Sequence, residues 1–451
     1  MRFVILGGGP AGTQAATYAA RLGVQVTLVE RDVVGGAADL WDCIPSKAMI
    51  ATGGAVSFLG RTEGMGLAAV VPALDFERLR QRVASITSRL RESAETILTS
   101  QDVEIIRGEG RMTGPHGVVV DTAEGRREPE ADAVLLSTGS RPRIPEWAPI
   151  DGDRVLITRD AYPPKELPEH VVVIGSGVTG VEFVHMFRSL GSGVTLIVSR
   201  QQVLPRKDPE VAAVLEEDFL RRGVKLMKGA RATAVDRGET GVSVRCDDGR
   251  VAAGSHALLA IGSLPNSERL DLESAGVEVD AGGYVPINRH CQTNVPHIYA
   301  AGDLSGKLPL SSVASMQGRK VAEHVAIGHT VSHRHLNYDK AASAIFTEPE
   351  IADVGLAEAD AFAEGRKVRV TKVPFAATAK ALINDDARGF VKIVSDPATG
   401  VVLGGSIVGQ HAAELISMLA LAVTAGLRVQ DIVESMLVHP TLSEALAEAA
   451  E

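Results

Sequence analysis

Short apolar runs separated by glycine-rich turns recur along the first two thirds of the chain. The first run, Phe3–Leu6, is followed by GGGPAG, by the alanine-rich stretch Thr13–Leu22 and by a second run, Val24–Glu30. Short apolar runs between turn residues are typical of buried parallel strands, and a longer stretch between two of them is typical of a connecting helix. The pattern therefore predicts a strand–helix–strand unit at the start of the chain.

The same order recurs later, where the run Val171–Ile174 is followed by GSGVTG and by GVTLIVS. The runs Val103–Met112 and Ala131–Pro145 predict strands that end in turns. From about Asn337 onward, strand-like and helix-like segments alternate, which predicts a C-terminal domain of mixed type. We expect Pro440 to lie in the first turn of the last helix.

The glycines after the first strand have the spacing G-x-G-x-x-G, with Gly7, Gly9 and Gly12. Gly7 permits a tight turn, Gly9 lets a pyrophosphate approach the backbone, and Gly12 lets the helix pack closely on the strand. Glu30 lies 18 residues beyond Gly12, at the end of the second strand, where a carboxylate can accept hydrogen bonds from ribose hydroxyls. Such a motif alone often marks only a turn, but with strand, helix and acid in place it predicts dinucleotide binding.

The second motif repeats this spacing with Gly175, Gly177 and Gly180, but Val198 occupies the place of the acid. Two dinucleotide-binding units in one chain predict two dinucleotides, most economically FAD and NADPH or NADH, which exchange a hydride.

The residues after Val198 favour the phosphorylated nucleotide. Ser199 and Arg200 follow directly, and Arg206 and Lys207 are close behind. A carboxylate would repel a 2′-phosphate, whereas a guanidinium binds it. The alternative is that these are solvated loop residues and that NADH also serves.

Composition and charge narrow the remaining possibilities. The chain has 451 residues with 45% hydrophobic and 23% charged residues, an ordinary globular composition, and a formal net charge of −10. That charge argues against nucleic-acid binding. No run approaches the length of a membrane span, and Ile416–Leu427 predicts a buried core helix. The three cysteines, Cys43, Cys246 and Cys291, are far apart and have no metal-ligand spacing, so we expect neither a disulfide framework nor a metal site. This cysteine usage fits a reducing, cytoplasmic location.

Eight motifs in one order resemble those of the flavoprotein disulfide reductases, which include lipoamide dehydrogenase, glutathione reductase and mercuric reductase. They are GGGPAG, GG…CIPSK, STGSRP, GSGVTGVE, AIGSLPN, IYAAGD, FTEPEIADVG and HPTLSE. The resemblance implies an α/β fold with two Rossmann-like dinucleotide-binding domains and a C-terminal α+β dimerisation domain. It also implies an FAD-binding domain at 1–147, an NAD(P)-binding domain at 148–266, a central domain completing the FAD site at 267–334 and a dimerisation domain at 335–451.

The resemblance also implies the site residues. Lys47 would reach the flavin and pair with Glu182, and His439 with Glu444 would form an acid–base pair reaching the partner subunit's flavin in a homodimer. The implied FAD-binding residues are Gly7, Gly9, Gly12, Glu30, Arg31, Gly36, Ala37, Lys47, Gly110, Thr138, Gly139, Ser140, Asp303, Leu310 and Ser311. The implied nicotinamide-nucleotide residues are Gly175, Gly177, Gly180, Ser199, Arg200 and Gly262.

One departure decides the predicted chemistry. Ala38 stands where disulfide-reducing members have their first cysteine, and Cys43 matches the flavin-proximal one. A lone thiol cannot store two electrons as an internal disulfide. The chain is therefore similar to the cysteine-deficient NAD(P)H:quinone reductases of lipoamide-dehydrogenase type, in which electrons go directly to a quinone or similar small acceptor. Ser263, in place of an arginine of the family, is a lesser departure.

Two alternatives stay open. The first is a dihydrolipoamide dehydrogenase or other disulfide reductase that works with Cys43 alone. The second is a flavoprotein electron-transfer or regulatory subunit, although the intact second glycine motif argues against it. Trp41 either walls the acceptor pocket or packs in the core.

Overall fold

The computed structural model describes residues 1–68, 70, 72–328 and 335–451, which form two compact units. The first unit comprises Met1–Pro45, Glu77–Arg143 and Gly262–Tyr338, and the second comprises Ser46–Phe76, Ile144–Ile261 and Asp339–Glu451. Among the described residues, no helix is long and apolar enough to cross a membrane.

A five-stranded parallel sheet forms the centre of the first unit, with the strand order β18-β7-β1-β2-β3. Its strands are β1 (Arg2–Leu6), β2 (Gln25–Glu30), β3 (Glu104–Arg107), β7 (Ala133–Leu136) and β18 (Ile298–Ala300). Phe3, Ile5 and Leu28 pack into one hydrophobic core, while Val4 and Leu6 pack into another on the opposite face. Because both faces of the sheet are buried, its strands are nearly continuous apolar runs.

Two smaller antiparallel sheets and three long helices complete this unit. The additional strands are β4 (Glu109–Gly114), β5 (Gly117–Thr122), β6 (Gly125–Arg127), β8 (Ser140–Pro142) and β17 (Ser263–Pro265). The helices are α1 (Pro10–Arg21), α3 (Phe76–Thr99) and α6 (Ser311–Ile327), together with a π-helix at Ala38–Cys43 and a 3₁₀ turn at Gly302–Ser305.

The second unit repeats the parallel arrangement, with the strand order β12-β11-β10-β16-β9. Its strands are β9 (Val155–Ile157), β10 (His170–Ile174), β11 (Gly193–Val198), β12 (Lys225–Lys228) and β16 (His256–Leu259). A three-stranded antiparallel sheet adds β13 (Ala232–Arg237), β14 (Val242–Cys246) and β15 (Val251–Gly254). The associated helices are α2 (Ile44–Leu59), which begins in the first unit, α4 (Val178–Leu190) and α5 (Pro209–Arg221).

The C-terminal part of the second unit is an antiparallel sheet with helices on it. The strands, in the order β19-β20-β23-β22-β21, are β19 (Ser343–Ile345), β20 (Glu350–Gly355), β21 (Arg369–Pro374), β22 (Phe390–Ser395) and β23 (Val402–Gly409). The helices are α7 (Glu358–Ala363), α8 (Ala379–Ile383), α9 (Ala412–Ala425), α10 (Val429–Val433) and α11 (Glu444–Ala450). The predicted core helix corresponds to α9, whose buried residues include Leu419.

Three boundaries differ from the sequence-based prediction. α1 begins at Pro10, not Thr13, because a proline suits the first helical position and the glycine of the motif is accommodated inside the first turn. The run Val103–Met112 divides at Gly108 into strands of two different sheets. Pro440 lies before α11, which starts only at Glu444, after a cis His439–Pro440 peptide bond.

Candidate functional site

The first glycine motif forms a tight connection between β1 and α1. Gly7 has φ +106°, which lies in the region that favours glycine, and a Cβ there would lie 2.4 Å from the Ser137 carbonyl oxygen. A Cβ on Gly12 would lie 2.0 Å from the carbonyl oxygen of Gly7. These two glycines are therefore required by the close packing of strand, turn and helix.

Gly9 has a different surrounding. It is the N-cap of α1 without a side-chain cap, and its nearest neighbour, at 3.9 Å from an added Cβ, is the Cα atom of Gly36. Gly36 in turn has φ +90°, and a Cβ there would lie 2.4 Å from the Cα atom of Gly9. The two glycine loops thus leave an open cradle at the N-terminus of a helix, where free N–H groups attract phosphate. This cradle fits the pyrophosphate of a dinucleotide.

Glu30 ends β2 beside this cradle. Its Oε2 atom accepts a hydrogen bond from the Gly8 N–H at 2.7 Å, and its Oε1 atom accepts one from the Asp32 N–H at 2.7 Å. The backbone therefore holds the carboxylate at the edge of the glycine loop, as a ribose-binding acid requires. The neighbouring Arg31 is engaged in ion pairs with Asp32 and Glu109.

Several other implied FAD residues are linked by hydrogen bonds. The Ser140 hydroxyl donates to Asp303 Oδ2 at 2.6 Å, and the Thr138 hydroxyl donates to the carbonyl of Asn266 at 2.8 Å. The Asn266 N–H donates to the carbonyl of Gly139. Gly110 packs against β1 and β2, since an added Cβ would lie 2.7 Å from a methyl group of Leu6, so its requirement is one of packing.

The loop with the single cysteine is helical. The π-helix Ala38–Cys43 follows Ala37, its N-cap, and runs directly into α2. Asp39, on this π-helix, accepts a hydrogen bond of 2.5 Å from the hydroxyl of Ser311, which follows Leu310, the N-cap of α6. Burial raises the pKa of Asp39 although the Ser311 hydroxyl opposes the shift.

The two remaining side chains of this loop differ in burial. The Cys43 side chain is partly buried and forms no disulfide. Trp41 is 42% exposed in a single copy of the chain, so it does not pack in the core of that copy, one of the two alternatives left open by the sequence.

The second glycine motif has the same internal geometry as the first. Gly175 has φ +111°, and a Cβ on Gly180 would lie 1.8 Å from the Gly175 carbonyl oxygen. Gly177, the N-cap of α4, has no side-chain cap, and an added Cβ meets nothing within 4 Å. The N-terminus of α4 therefore offers a second open cradle for a pyrophosphate.

The end of β11 carries the residues predicted to read the nucleotide's ribose. Ser199, Arg200 and Arg206 are exposed, and within the described part of the chain neither guanidinium has a carboxylate partner. Lys207 differs, because its Nζ atom lies 2.6 Å from Asp353 Oδ2. Arg200 and Arg206 are thus the available cations, while Lys207 is already paired. Gly262 falls in the first unit, where its carbonyl accepts a hydrogen bond from the N–H of Arg143.

Lys47 and Glu182 are brought together in the second unit. The Lys47 Nζ atom lies 2.5 Å from Glu182 Oε2, and Glu182 is buried on α4. Glu182 Oε1 accepts the backbone N–H of Phe346 at 2.9 Å, and Lys47 Nζ lies 5.1 Å from the centroid of the Phe346 ring. The structure therefore contains the expected Lys47–Glu182 pair, although 135 residues separate its members, and Phe346 contacts both of them.

His439 and Glu444 form a second pair near the C-terminus. His439 Nδ1 lies 2.7 Å from Glu444 Oε1, and the Thr441 N–H donates to Glu444 Oε2 at 2.8 Å. The Thr441 N–H and then His439 lower the pKa of Glu444, so the carboxylate stays ionised. The His439 side chain is 73% exposed and its Nε2 atom is free to face another molecule.

Sequence reasoning missed three residues that contact the implied sites. Asn266 binds the Thr138–Gly139 turn, Gln317 accepts the Gly302 N–H at 2.7 Å, and Phe346 binds Glu182. Asn266 and Phe346 stand inside motifs that were recognised, AIGSLPN and FTEPEIADVG, but their partners are distant in sequence. Among the described residues, no group of three histidine, cysteine, aspartate or glutamate side chains is arranged to hold a metal ion.

The sequence profile of the pyridine nucleotide-disulphide oxidoreductases matches residues 1–318, and that of their dimerisation domain matches residues 341–450. The chain belongs to this family. It is therefore an oxidoreductase with a dimerisation domain, and the family implies FAD and NAD(P)H, which agrees with the two open cradles.

Two relatives of similar length have names that state different activities. A Mycobacterium tuberculosis protein named NAD(P)H dehydrogenase (quinone) is 41% identical over 466 residues, covering 100% of this chain and 93% of that protein. A dihydrolipoyl dehydrogenase of Zymomonas mobilis is 33% identical, covering 99% of this chain and 96% of that protein.

Solved structures have the same fold. The crystal structure of LpdA from Mycobacterium tuberculosis matches with a TM-score of 0.94 at 41% identity, covering 100% of this chain and 99% of that one. The HOCl-induced flavoprotein disulfide reductase RclA from Escherichia coli matches with a TM-score of 0.87 at 26% identity, covering 100% and 99%. The predicted fold class, with two Rossmann-like sheets and a C-terminal α+β domain, is confirmed.

Proposed function

We propose that the chain is an FAD-dependent NAD(P)H:quinone oxidoreductase that passes electrons to a quinone or similar small acceptor without a redox-active disulfide. The observation that carries this proposal is the loop Ala38–Cys43, which contains one thiol where disulfide exchange requires two. In the described residues, Cys43, Cys246 and Cys291 form no disulfide. The Mycobacterium tuberculosis relative, named NAD(P)H dehydrogenase (quinone), supports a quinone as the acceptor.

The glycine cradle of the first unit would hold FAD, with Glu30 at the ribose and Asp303 at the ribityl chain. The cradle at Gly177 would hold the nicotinamide dinucleotide. FAD supplies the chemistry of accepting a hydride and releasing its electrons to an acceptor. The protein residues orient the two nucleotides.

Lys47 would place a fixed positive charge toward the flavin. Because Glu182 is buried and lies 2.5 Å from Lys47, the ion pair restricts the position of the ammonium group. A disordered surface lysine would lack this restriction.

His439 and Glu444 would complete the acceptor site of a homodimer. Glu444 can accept the Nδ1–H of His439, and in the imidazolium form the proton of the exposed Nε2–H can then be given to a quinone oxygen, which leaves a neutral imidazole. A quinone needs protons as well as electrons to become a hydroquinone. Because His439 would act at the flavin of the partner subunit, the proposal requires two copies of the chain. We also propose a cytoplasmic location.

A steady-state comparison of acceptors tests the proposal. NADPH and NADH are each offered with a water-soluble naphthoquinone, lipoamide, glutathione disulfide and oxygen. We expect rapid turnover with the quinone and little with either disulfide. Turnover with lipoamide as fast as with the quinone would favour the disulfide reductase alternative. The 33% identity to a dihydrolipoyl dehydrogenase is the observation that supports this alternative. Absence of NAD(P)H oxidation with every acceptor would favour an electron-transfer subunit.

A further inference from the structure

A partly buried cluster of charged side chains in the second unit lies outside the residues assigned to nucleotide or acceptor. Arg61 Nη2 lies 2.6 Å from Glu348 Oε1, and Arg61 Nη1 lies 3.0 Å from Asp386 Oδ2. Arg388 contacts the same two carboxylates, at 2.9 Å and 2.6 Å. Burial would raise the pKa of Glu348 and of Asp386, but the two arginines outweigh it and lower both pKa values. The cluster is therefore fully ionised and internally neutralised.

One side of the cluster connects to α4, the helix that carries Glu182. Arg388 Nη1 donates to Asp218 Oδ1 at 2.9 Å, and Arg222 Nη1 lies 3.4 Å from the other oxygen of Asp218. Arg222 Nη2 then donates to the Ser189 hydroxyl on α4 at 2.8 Å. These contacts therefore reach Ser189, which lies on α4 two turns beyond Glu182.

The other side connects to the Lys47–Glu182 pair itself. Glu348 stands two residues after Phe346, in the short connection between β19 and β20. The backbone of Phe346 donates to Glu182 and its ring faces Lys47. Holding the Glu348 carboxylate therefore fixes the segment that contacts both members of the pair.

The residues at both ends of these contacts, Lys47 and Arg61, lie on α2 or just after its end. Lys47 lies in the first turn of α2, and Arg61 follows the end of the helix, where its Nε donates to the carbonyl of Ser57. Between them, α2 approaches α4 so closely that a Cβ on Gly53 would lie 2.9 Å from the Cβ atom of Ser189. The helix is thus held at its start, its middle and its end.

We propose that Arg61 and Glu348 are positioning residues for the Lys47–Glu182 pair: through the Phe346–Glu348 segment they fix the separation and orientation of the two charged groups. Neither residue touches the pair directly. The proposed role of Lys47 toward the flavin is needed only for the second readout below, so the two proposals can fail separately.

The first readout is the chemical reactivity of the Lys47 amine. In FAD-loaded protein, Arg61→Gln should raise the rate of Lys47 acylation by an amine-directed reagent roughly threefold or more, because a loosened ion pair exposes the amine more often. The rate is measured by mass spectrometry of the peptide that contains Lys47. Arg61→Lys keeps a cation near Glu348 and should restore most of the protection.

Arg237→Gln is the matched control. Arg237 pairs with two aspartates, Asp151 and Asp153, in the same unit, and its side chain is 45% exposed against 31% for Arg61. This control should leave the Lys47 labelling rate at the parent value. Glu348→Gln removes the opposite partner and should reproduce the effect of Arg61→Gln, which keeps the test available if one variant fails to fold.

The second readout is the midpoint potential of the bound FAD. A cation held near the flavin favours the added electrons, so both cluster variants should make the potential more negative, while Arg237→Gln leaves it unchanged. Unchanged Lys47 labelling in both folded variants would overturn the positioning proposal. Increased labelling with an unchanged potential would support the positioning proposal but contradict the assignment of Lys47 to the flavin.

Discussion

At the residue scale, the substitution that defines the chain's predicted chemistry is Ala38. It occupies the first position of the π-helix that ends at Cys43, and its methyl group is solvent-exposed. Disulfide exchange at this position needs a thiolate that can attack from solvent, and a methyl group cannot do so. Cys43 remains as a partly buried thiol that forms no disulfide, and the loop Ala38–Cys43 contains no second cysteine.

The second feature at this scale is Arg200, which follows β11 and has no carboxylate partner among the described residues. Arg200→Glu places a carboxylate where a 2′-phosphate would bind. We expect kcat/KM for NADPH to fall roughly 10- to 150-fold, since a hydrogen bond to a charged group contributes about 1.5–3 kcal/mol, and kcat/KM for NADH to change little. Arg250→Glu, at an arginine already paired with Asp248, is the control. Equal losses with both nucleotides would place Arg200 outside the site.

At the element scale, the glycines of the second motif have separable roles. Gly177 has φ −74° and open space beyond it, so alanine there suits the fold but enters the proposed pyrophosphate cradle. Gly177→Ala should change the free energy of unfolding by no more than about 0.5 kcal/mol. It should raise the KM for NAD(P)H at least about tenfold, or ~1.4 kcal/mol.

Gly180→Ala is the matched comparison for that experiment. Its Cβ would lie 1.8 Å from a carbonyl oxygen, so we expect a loss of about 1–3 kcal/mol or more in stability. An unchanged KM in a normally stable Gly177→Ala protein would mean that no nucleotide uses this cradle.

Helix α4 also contains a buried histidine that predicts a pH dependence of stability. Burial, with Arg222 next to it, lowers the pKa of His185 to about 3. The unfolded chain, with an ordinary histidine pKa of about 6.5, therefore binds more protons than the folded chain as pH falls below about 6.5. At pH 5 this difference in proton binding lowers the free energy of unfolding by about 2 kcal/mol relative to its value well above pH 6.5.

His185→Asn should remove that part of the acid sensitivity. Between pH 8 and pH 5, denaturant unfolding should show about 2 kcal/mol less loss of stability in the variant than in the parent protein. His411→Asn, at an exposed histidine, should behave as the parent does. Parallel pH profiles for the parent and His185→Asn would show that His185 takes up its proton in the folded protein.

The sequence predicted local features better than distant contacts. The glycine motifs and Glu30 follow from local spacing, and the structure contains both turns and the carboxylate beside the first one. The Lys47–Glu182 pair, whose members are 135 residues apart, was predicted only through the family resemblance. The pairing of Lys207 with Asp353 and the contacts of Asn266 and Phe346 join residues more than 100 positions apart. No pattern within one segment contains such partners, so these contacts emerge only from the packing.

At the scale of the whole molecule, the proposed function places the exposed His439 at an acceptor site shared with a second copy of the chain. If His439 donates a proton to a quinone bound at the partner subunit's flavin, His439→Ala should slow the reaction with quinone at least about tenfold, within the usual range for loss of a general acid. Flavin reduction by NADPH should stay near the parent rate. Stopped-flow absorbance separates the two half-reactions, and unchanged rates in both would make His439 a structural residue.

Electron transfer without a disulfide determines how many electrons the enzyme holds and which acceptor takes them. An anaerobic dithionite titration, followed by mixing of the reduced protein with a naphthoquinone or with lipoamide, measures both. We predict uptake of two electrons per FAD, rapid reoxidation by the quinone and slow reoxidation by lipoamide, with Cys43→Ser giving the same stoichiometry and quinone rates within about tenfold of the parent. Uptake of four electrons per FAD with rapid reoxidation by lipoamide, or loss of quinone reactivity in Cys43→Ser with FAD still bound, would contradict electron transfer without a disulfide.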